Sequence, residues 1–257
     1  MNRRAFSTLG CPGASVDEVV ALARTSRCEG IELRCAEGQL VYPGMPAAEA
    51  GRLAAALREA GLAVPALASY VQVAADDSGV VERLAGHMDL AARLGAAQVR
   101  VFGGGDLADG RRERAVRHLA RAAPIAEAAG VGLALETHDT FLTGAEVAAV
   151  LEAVGSPAVG AVWDAVNPWR AGESPERTAE LLGPWLRHVQ VKDVASPTDL
   201  RPVVPGHGVL PLPAVLEQLG RLGYRGWISL EWERAWYPDA APLAEALPAF
   251  HGVLDAR

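Results

Sequence analysis

Short apolar runs alternate strictly with helical stretches along this chain, eight times in 257 residues. The runs lie at 5–9, 30–34, 64–73, 97–102, 131–135, 159–162, 188–191 and 227–230. Most show little polar alternation, as expected for strands buried on both faces of a parallel sheet. Between them, helices are predicted after Ser15 and over 47–60, 80–94, 111–129, 143–153, 175–182, 212–222 and 242–254. Ser15 can cap the first, with Asp17 and Glu18 near the positive end of its dipole. Gly61, Gly95, Gly130 and Gly223 stand where a left-handed residue closes a helix. No linker, low-complexity segment or domain break interrupts the series. Such alternation over this length is the pattern of an α/β fold, a (β/α)8 TIM barrel, with residues 1–257 as a single domain. A doubly wound open sheet is the alternative. It usually carries a Gly-rich phosphate turn after its first strand, and Gly10-Cys11-Pro12-Gly13 does not match that fingerprint.

Composition removes several function classes. A net charge of −7 argues against a nucleic-acid binder. No apolar run reaches the ~18 residues of a membrane span. The start, Met-Asn-Arg-Arg-Ala-Phe-Ser-Thr, lacks the apolar stretch of a signal peptide, so a cytoplasmic protein is expected. Cys11, Cys28 and Cys35 are odd in number and lack metal-type spacing, which argues against a disulfide framework or a zinc knuckle. Self-association is left open.

The chemistry collects at the strand ends. The run 131–135 terminates in Glu136, with His138 and Asp139 beyond it. The run 159–162 leads into Trp163 and Asp164, the run 188–191 carries Gln190 and leads into Lys192, and the run 227–230 leads into Glu231 and Glu233. Solvent explains any single polar strand end; four in succession call for a site. In a (β/α)8 barrel the C-terminal strand ends surround the active site, and these residues come from consecutive staves. Converging carboxylates repel one another, and a divalent cation removes that penalty. An oxygen-rich set suits Mn2+ or Mg2+, with Zn2+ and Co2+ also acceptable. Side-chain alternation puts His188, Gln190 and Lys192 on one face of their strand, with His188 the deepest. Arg34 and Arg100 end the second and fourth strands, where they can meet an anionic substrate or pair with Glu32 or Asp106. His138, and the loop residues Arg201 and His207, are further candidates for substrate contact. Trp163, Trp169, Trp232 and Trp236 are expected around the mouth.

Glu136-Thr-His138, Val162-Trp-Asp164-x-x-Asn167, His188-Val-Gln-Val-Lys-Asp193, Gly206-His-Gly208 and Gly223-Tyr-x-Gly-Trp-x-Ser-Leu-Glu231 together resemble the sugar-phosphate isomerase/epimerase family. These are xylose isomerase-like TIM barrels, among them inosose dehydratases and isomerases, D-tagatose 3-epimerase and hydroxypyruvate isomerase. The resemblance covers nearly the whole chain and is strongest from Val131 to Glu233. It implies a divalent cation held by Glu136, Asp164, Gln190 and Glu231. Gln190 stands where the commoner pattern has His, as in hydroxypyruvate isomerases. Asn167 stands where many members have a substrate-touching His, and Gly206-His207-Gly208 where Gly-Glu-Gly is frequent.

The resemblance implies a metal-dependent isomerase or epimerase of a small keto-sugar, keto-cyclitol or hydroxy-keto acid. The cation would chelate the carbonyl and the adjacent hydroxyl, stabilising an enediolate. Glu136 and Glu231 would move the proton. His138, Asn167, Lys192, Arg201, His207, Arg34 and Arg100 would surround the substrate. Loss of a β-hydroxyl from the same enediolate gives the alternative, a dehydratase of the inosose or dehydroshikimate type. A non-catalytic ligand-binding barrel is a further alternative. Endonuclease IV, of the same fold, needs several metals and many His ligands, which six histidines and an acidic chain do not supply.

Overall fold

In a computed structural model that describes residues 2–104 and 110–256, eight parallel strands close into a barrel. They are β1 (Arg3–Ser7), β2 (Gly30–Arg34), β3 (Leu67–Gln72), β4 (Gln98–Phe102), β5 (Gly132–Glu136), β6 (Val159–Asp164), β7 (Leu186–Val191) and β8 (Trp227–Leu230). Each pairs with its neighbours in sequence, and β1 closes the ring against β8 through pairs such as Phe6 with Leu230. Crossing from one parallel strand to the next requires a helix outside, and the chain supplies α1 (Val16–Ser26), α2 (Ala47–Glu59), α3 (Val80–Leu94), α4 (Arg111–Ala129), α5 (Gly144–Val154), α6 (Val166–Arg170), α7 (Pro175–Leu182), α8 (Leu212–Arg221) and α9 (Leu243–Asp255). Among the described residues no helix is long and apolar enough to cross a membrane.

The local signals act as expected. Ser15 accepts from the backbone N–H of Glu18, whose carboxylate returns a bond to the Ser15 backbone, forming a capping box. Thr143 and Glu146 repeat the device on α5. Gly95, Gly130 and Gly155 close α3, α4 and α5 in the left-handed region, where a Cβ would be strained.

The third strand is shorter than expected: only the bridge from Val64 to Ala96 marks its beginning, and regular pairing starts at Leu67. The helix α6 and a two-residue antiparallel pair, 193–194 with 202–203, fall in stretches read from sequence as loop. Gly105 and Asp106 lie outside the described residues.

The main core is the layer between barrel and helices. Ile31, Leu33, Val99, Val101, Leu133, Leu135, Val189, Ile228 and Leu230 point outward into it and are fully or almost fully buried. The strands' other face is polar to an unusual degree. Glu32, Arg100, His188, Gln190 and Ser229 are all buried.

Candidate active site

The strand register brings the sequence-predicted carboxylates together. Asp164 lies beside Gln190 on the β6–β7 pair, and Gln190 beside Ser229 on β7–β8. The Glu231 backbone N–H donates to Val191, which fixes Glu231 just beyond the end of β8. Ligand oxygens of Glu136, Asp164 and Glu231 all lie within 4.8 Å of one another, and all three residues are buried. Gln190 joins them, donating from Nε2 to Glu231 Oε1 at 3.2 Å.

Lys192 sits in this cluster. Its Nζ donates to Asp164 Oδ2 at 2.9 Å, Glu231 Oε2 at 2.6 Å and Glu233 Oε1 at 2.7 Å. Burial opposes the ammonium charge, but Asp164, Glu231 and Glu233 outweigh it and hold Lys192 well above its usual range. Its three donors are thereby used, so its place is within the carboxylate cluster.

Glu136 contrasts with this. Its carboxylate is buried, and neither oxygen accepts a hydrogen bond among the described residues. Arg100 Nε lies 3.0 Å from Oε2 as an ion pair, but without the alignment of a hydrogen bond. The Arg100 Nη1 instead donates to the Ser69 carbonyl at 2.9 Å. Burial pushes the Glu136 carboxyl up to about 8; Arg100 opposes the shift, while Glu231 adds to it. Burial likewise raises Glu231, offset in part by Lys192.

A further carboxylate lies below. Glu32, wholly buried on β2, accepts from Gln190 Nε2 at 2.9 Å and meets His188 Nε2 at 2.7 Å. Sequence reading offered Glu32 only as a partner for an arginine. Its inward position followed from alternation with Arg34, but its partners on β7 lie more than 150 residues away along the chain.

The remaining candidates divide. Asn167, on α6, donates from Nδ2 to Asp164 Oδ2 at 2.7 Å and accepts from Arg170 Nε at 3.0 Å. Both ends of its amide are therefore engaged, the NH2 on Asp164 and the carbonyl on Arg170. His138 stacks on Phe102, ring centroids 4.2 Å apart, and its Nδ1 meets Asp139 Oδ1 at 2.6 Å. Arg34 donates from Nε to the Tyr70 hydroxyl at 2.7 Å and lies 4.7 Å from the Trp236 ring centroid. Arg100 lies 4.0 Å from the Phe102 centroid and 5.6 Å from that of Tyr70. Arginine and aromatic side chains so alternate along one wall of the mouth. Tyr70, which sequence reading missed, stands at its centre; it is two residues beyond Ala68 on the inward face of β3. Arg201 and His207 are exposed, Arg201 paired with Asp199, and the structure brings neither into contact with the carboxylates. The tryptophans do not all gather at the mouth. Trp163 and Trp232 follow or precede inward acids, so alternation turns them outward into the core, whereas Trp236 stays half-exposed beside Arg34.

A divalent cation fits this donor set. Neither Glu136 oxygen accepts a hydrogen bond and Gln190 Oε1 lacks a hydrogen-bond partner among the described residues, and the surrounding acids outnumber the nearby cations. Hard oxygen donors of this number suit such an ion. Across the chain, residues 20–251 match the family described as xylose isomerase-like TIM barrel.

The chain belongs to that family. Three solved structures show the same barrel at low identity. The IolI protein, solved with a zinc atom, is 20% identical with a TM-score of 0.83, over 98% of this chain and 96% of that one. The probable 3-DHS dehydratase AsbF from Bacillus anthracis, involved in petrobactin synthesis, is 20% identical with a TM-score of 0.81, over 100% of both chains. An L-ribulose 3-epimerase is 20% identical with a TM-score of 0.82, over 99% of this chain and 95% of that one. No curated protein matches the chain in sequence.

Proposed function

We propose that this family member is a divalent-metal-dependent isomerase or epimerase that abstracts a proton beside the carbonyl of a small polyhydroxy-ketone or hydroxy-keto acid. The observation that carries the reading is Glu136: buried within the carboxylate cluster, ion-paired with Arg100, and accepting no hydrogen bond among the described residues. A carboxylate whose oxygens are not already taken by hydrogen-bond donors is what such proton transfer needs. A cation held by Glu136, Asp164, Gln190 and Glu231, of the Mn2+ or Mg2+ kind or Zn2+ as in IolI, supplies Lewis-acid stabilisation of the negative charge that develops on the substrate oxygens. Glu136 takes the proton. Lys192 holds Glu231 and Asp164 in place and limits their mutual repulsion. Glu231, on the neighbouring side of the cluster, returns a proton from the other face in an epimerase. Asn167 donates to Asp164 Oδ2, the oxygen that Lys192 also holds.

The test is deuterium exchange. In D2O with Mn2+ present, a panel of ketoses, inososes and hydroxypyruvate should yield a substrate that gains deuterium beside its carbonyl at least as fast as it turns over. Glu136→Gln should lower kcat by about 10²-fold or more while changing KM little. Near-normal turnover in that variant, with metal bound, rejects Glu136 as the base.

A second reading, dehydratase, is favoured by the wall of Arg34, Tyr70, Arg100, Phe102 and Trp236. Guanidinium groups stacked on aromatic rings suit a planar, carboxylate-bearing ring better than a neutral sugar. The engagement of Glu231 by Lys192, against the freedom of Glu136, also favours one base over two. Water loss from a 3-dehydroshikimate-type substrate, without activity on the neutral sugars, would decide for this reading.

A further inference from the structure

A glutamine among metal-binding carboxylates has two ends of nearly the same shape. Only its carbonyl oxygen can hold a cation; its NH2 donates and is repelled by one. Left to itself beside Glu231, the amide would satisfy the carboxylates with its NH2 in more than one orientation. The structure shows what removes that freedom. Glu32, buried and acceptor-only when ionised, receives Gln190 Nε2 at 2.9 Å on Oε1. His188 Nε2, 2.7 Å from the other carboxylate oxygen, pins Glu32 from the layer below. Nε2 also donates to Glu231 Oε1, at the longer 3.2 Å, and Gln190 Oε1 is buried and lacks any donor among the described residues.

We propose that Glu32 is a positioning residue for the cation site, holding the Gln190 amide with its carbonyl end free for the ion. The inference rests on the metal-dependent reading above. Glu32 acts in two ways. Its charge fixes which end of the amide it faces, and hydrogen bonding to an anion draws electron density toward Oε1, making a neutral ligand a stronger donor. Outer carboxylates that orient metal-binding groups contribute about 10–100-fold to metal affinity. A glutamine ligand needs a partner that distinguishes its ends. A histidine in its place would need only an acceptor for its single N–H, which a carboxylate or an amide can provide.

Mn2+ titration calorimetry on chelator-treated protein tests this with four forms: the unaltered chain, Glu32→Gln, Gln190→His, and both together. Glu32→Gln should weaken Mn2+ binding about tenfold when residue 190 is Gln, and about threefold or less when it is His. Equal loss in both backgrounds would mean that Glu32 contributes only its charge, and no loss in either would mean no role; both overturn the proposal. An unaltered chain that binds no Mn2+ refutes the metal reading itself, and the inference falls with it. Should Glu32→Gln not fold, a crystal structure of the unaltered protein with Mn2+ decides. Gln190 Oε1 on the ion and Nε2 on Glu32 supports the proposal; a turned amide or a Glu32 not bonded to it overturns it.

Discussion

At the scale of single residues, the site is a balance of buried charge. Lys192 contacts Asp164, Glu231 and Glu233 at once. Removing one partner of a buried ion cluster leaves the rest uncompensated, at about 3–5 kcal/mol. Lys192→Met should therefore destabilise the metal-free protein by roughly that amount. Urea denaturation with and without Mn2+ measures it, and the loss should shrink with Mn2+, which replaces the missing positive charge. An undiminished loss would mean that the ion does not reach these oxygens. Glu136 adds a pH dependence. Its carboxyl moves from an ordinary 4.5 to about 8 on folding, so between those values the native state holds a proton that the unfolded state has lost. Stability of the metal-free protein therefore declines as pH rises through that window. His138 adds to this trend: burial opposes its charge, but Asp139 and Glu136 outweigh burial and raise it. Glu32 acts oppositely and only in acid. Burial pushes it up, but His188 and Arg100 hold it below its usual value. Melting curves in chelator from pH 6 to 9 should show a falling Tm, and Glu136→Gln should flatten the fall. An unchanged slope in that variant would remove Glu136 as its source.

At the scale of elements, the strands and their long crossover helices were legible because periodicity and caps are local. The run 111–129 became α4 with the same limits, since Gly130 closes it and nothing tertiary intervenes. The convergence of Glu136, Asp164 and Glu231 followed from one rule, that consecutive barrel strands end on the same side. What escaped the sequence was long-range or irregular. Glu32 meets β7 only because the barrel closes. The helix α6 holds Pro168, spans five residues and lacks a capping side chain, so no sequence signal marks it. The segment after β7 is organised by Asp193. Its carboxylate accepts from the backbone N–H groups of Val194, Gly206, Gly208 and Leu210 at 2.9–3.1 Å. A glycine at 208 is what lets the chain come so close, because a Cβ there would stand 2.1 Å from Asp193 Oδ1. Gly208→Ala should therefore release the carboxylate from several donors, worth about 2–4 kcal/mol in all. Limited proteolysis should then cut within 195–210, and denaturant midpoints should fall. A resistant, fully stable variant would show that the segment is held by other contacts.

At the scale of the whole molecule, closure of β1 on β8 places strands from opposite ends of the chain side by side. The same closure makes the interior a shared environment. Acids from β2, β5, β6 and the residue after β8 meet Arg100 from β4 and Lys192 from the end of β7. No single strand could keep such a set buried; the ring does, because each charge has a neighbour on another stave. That arrangement ties the barrel's stability to what occupies its mouth. An ion that binds the closed ring and not the unfolded chain stabilises it by RT ln(1 + [ion]/Kd), about 2.7 kcal/mol at a hundredfold excess over Kd. For a chain of this size that corresponds to a rise in Tm of roughly 5–10 °C. The rise should be nearly absent in a Glu136→Gln/Glu231→Gln double variant, which removes two of the negative charges facing the ion. Differential scanning calorimetry of the chelated protein, with Mn2+ then returned in steps, reads both. A Tm indifferent to Mn2+, Mg2+, Co2+ and Zn2+ alike would show that Lys192 and Arg100 already neutralise the cluster, and would move the reading from a metal-dependent enzyme to a barrel that binds its ligand through the arginine and aromatic wall.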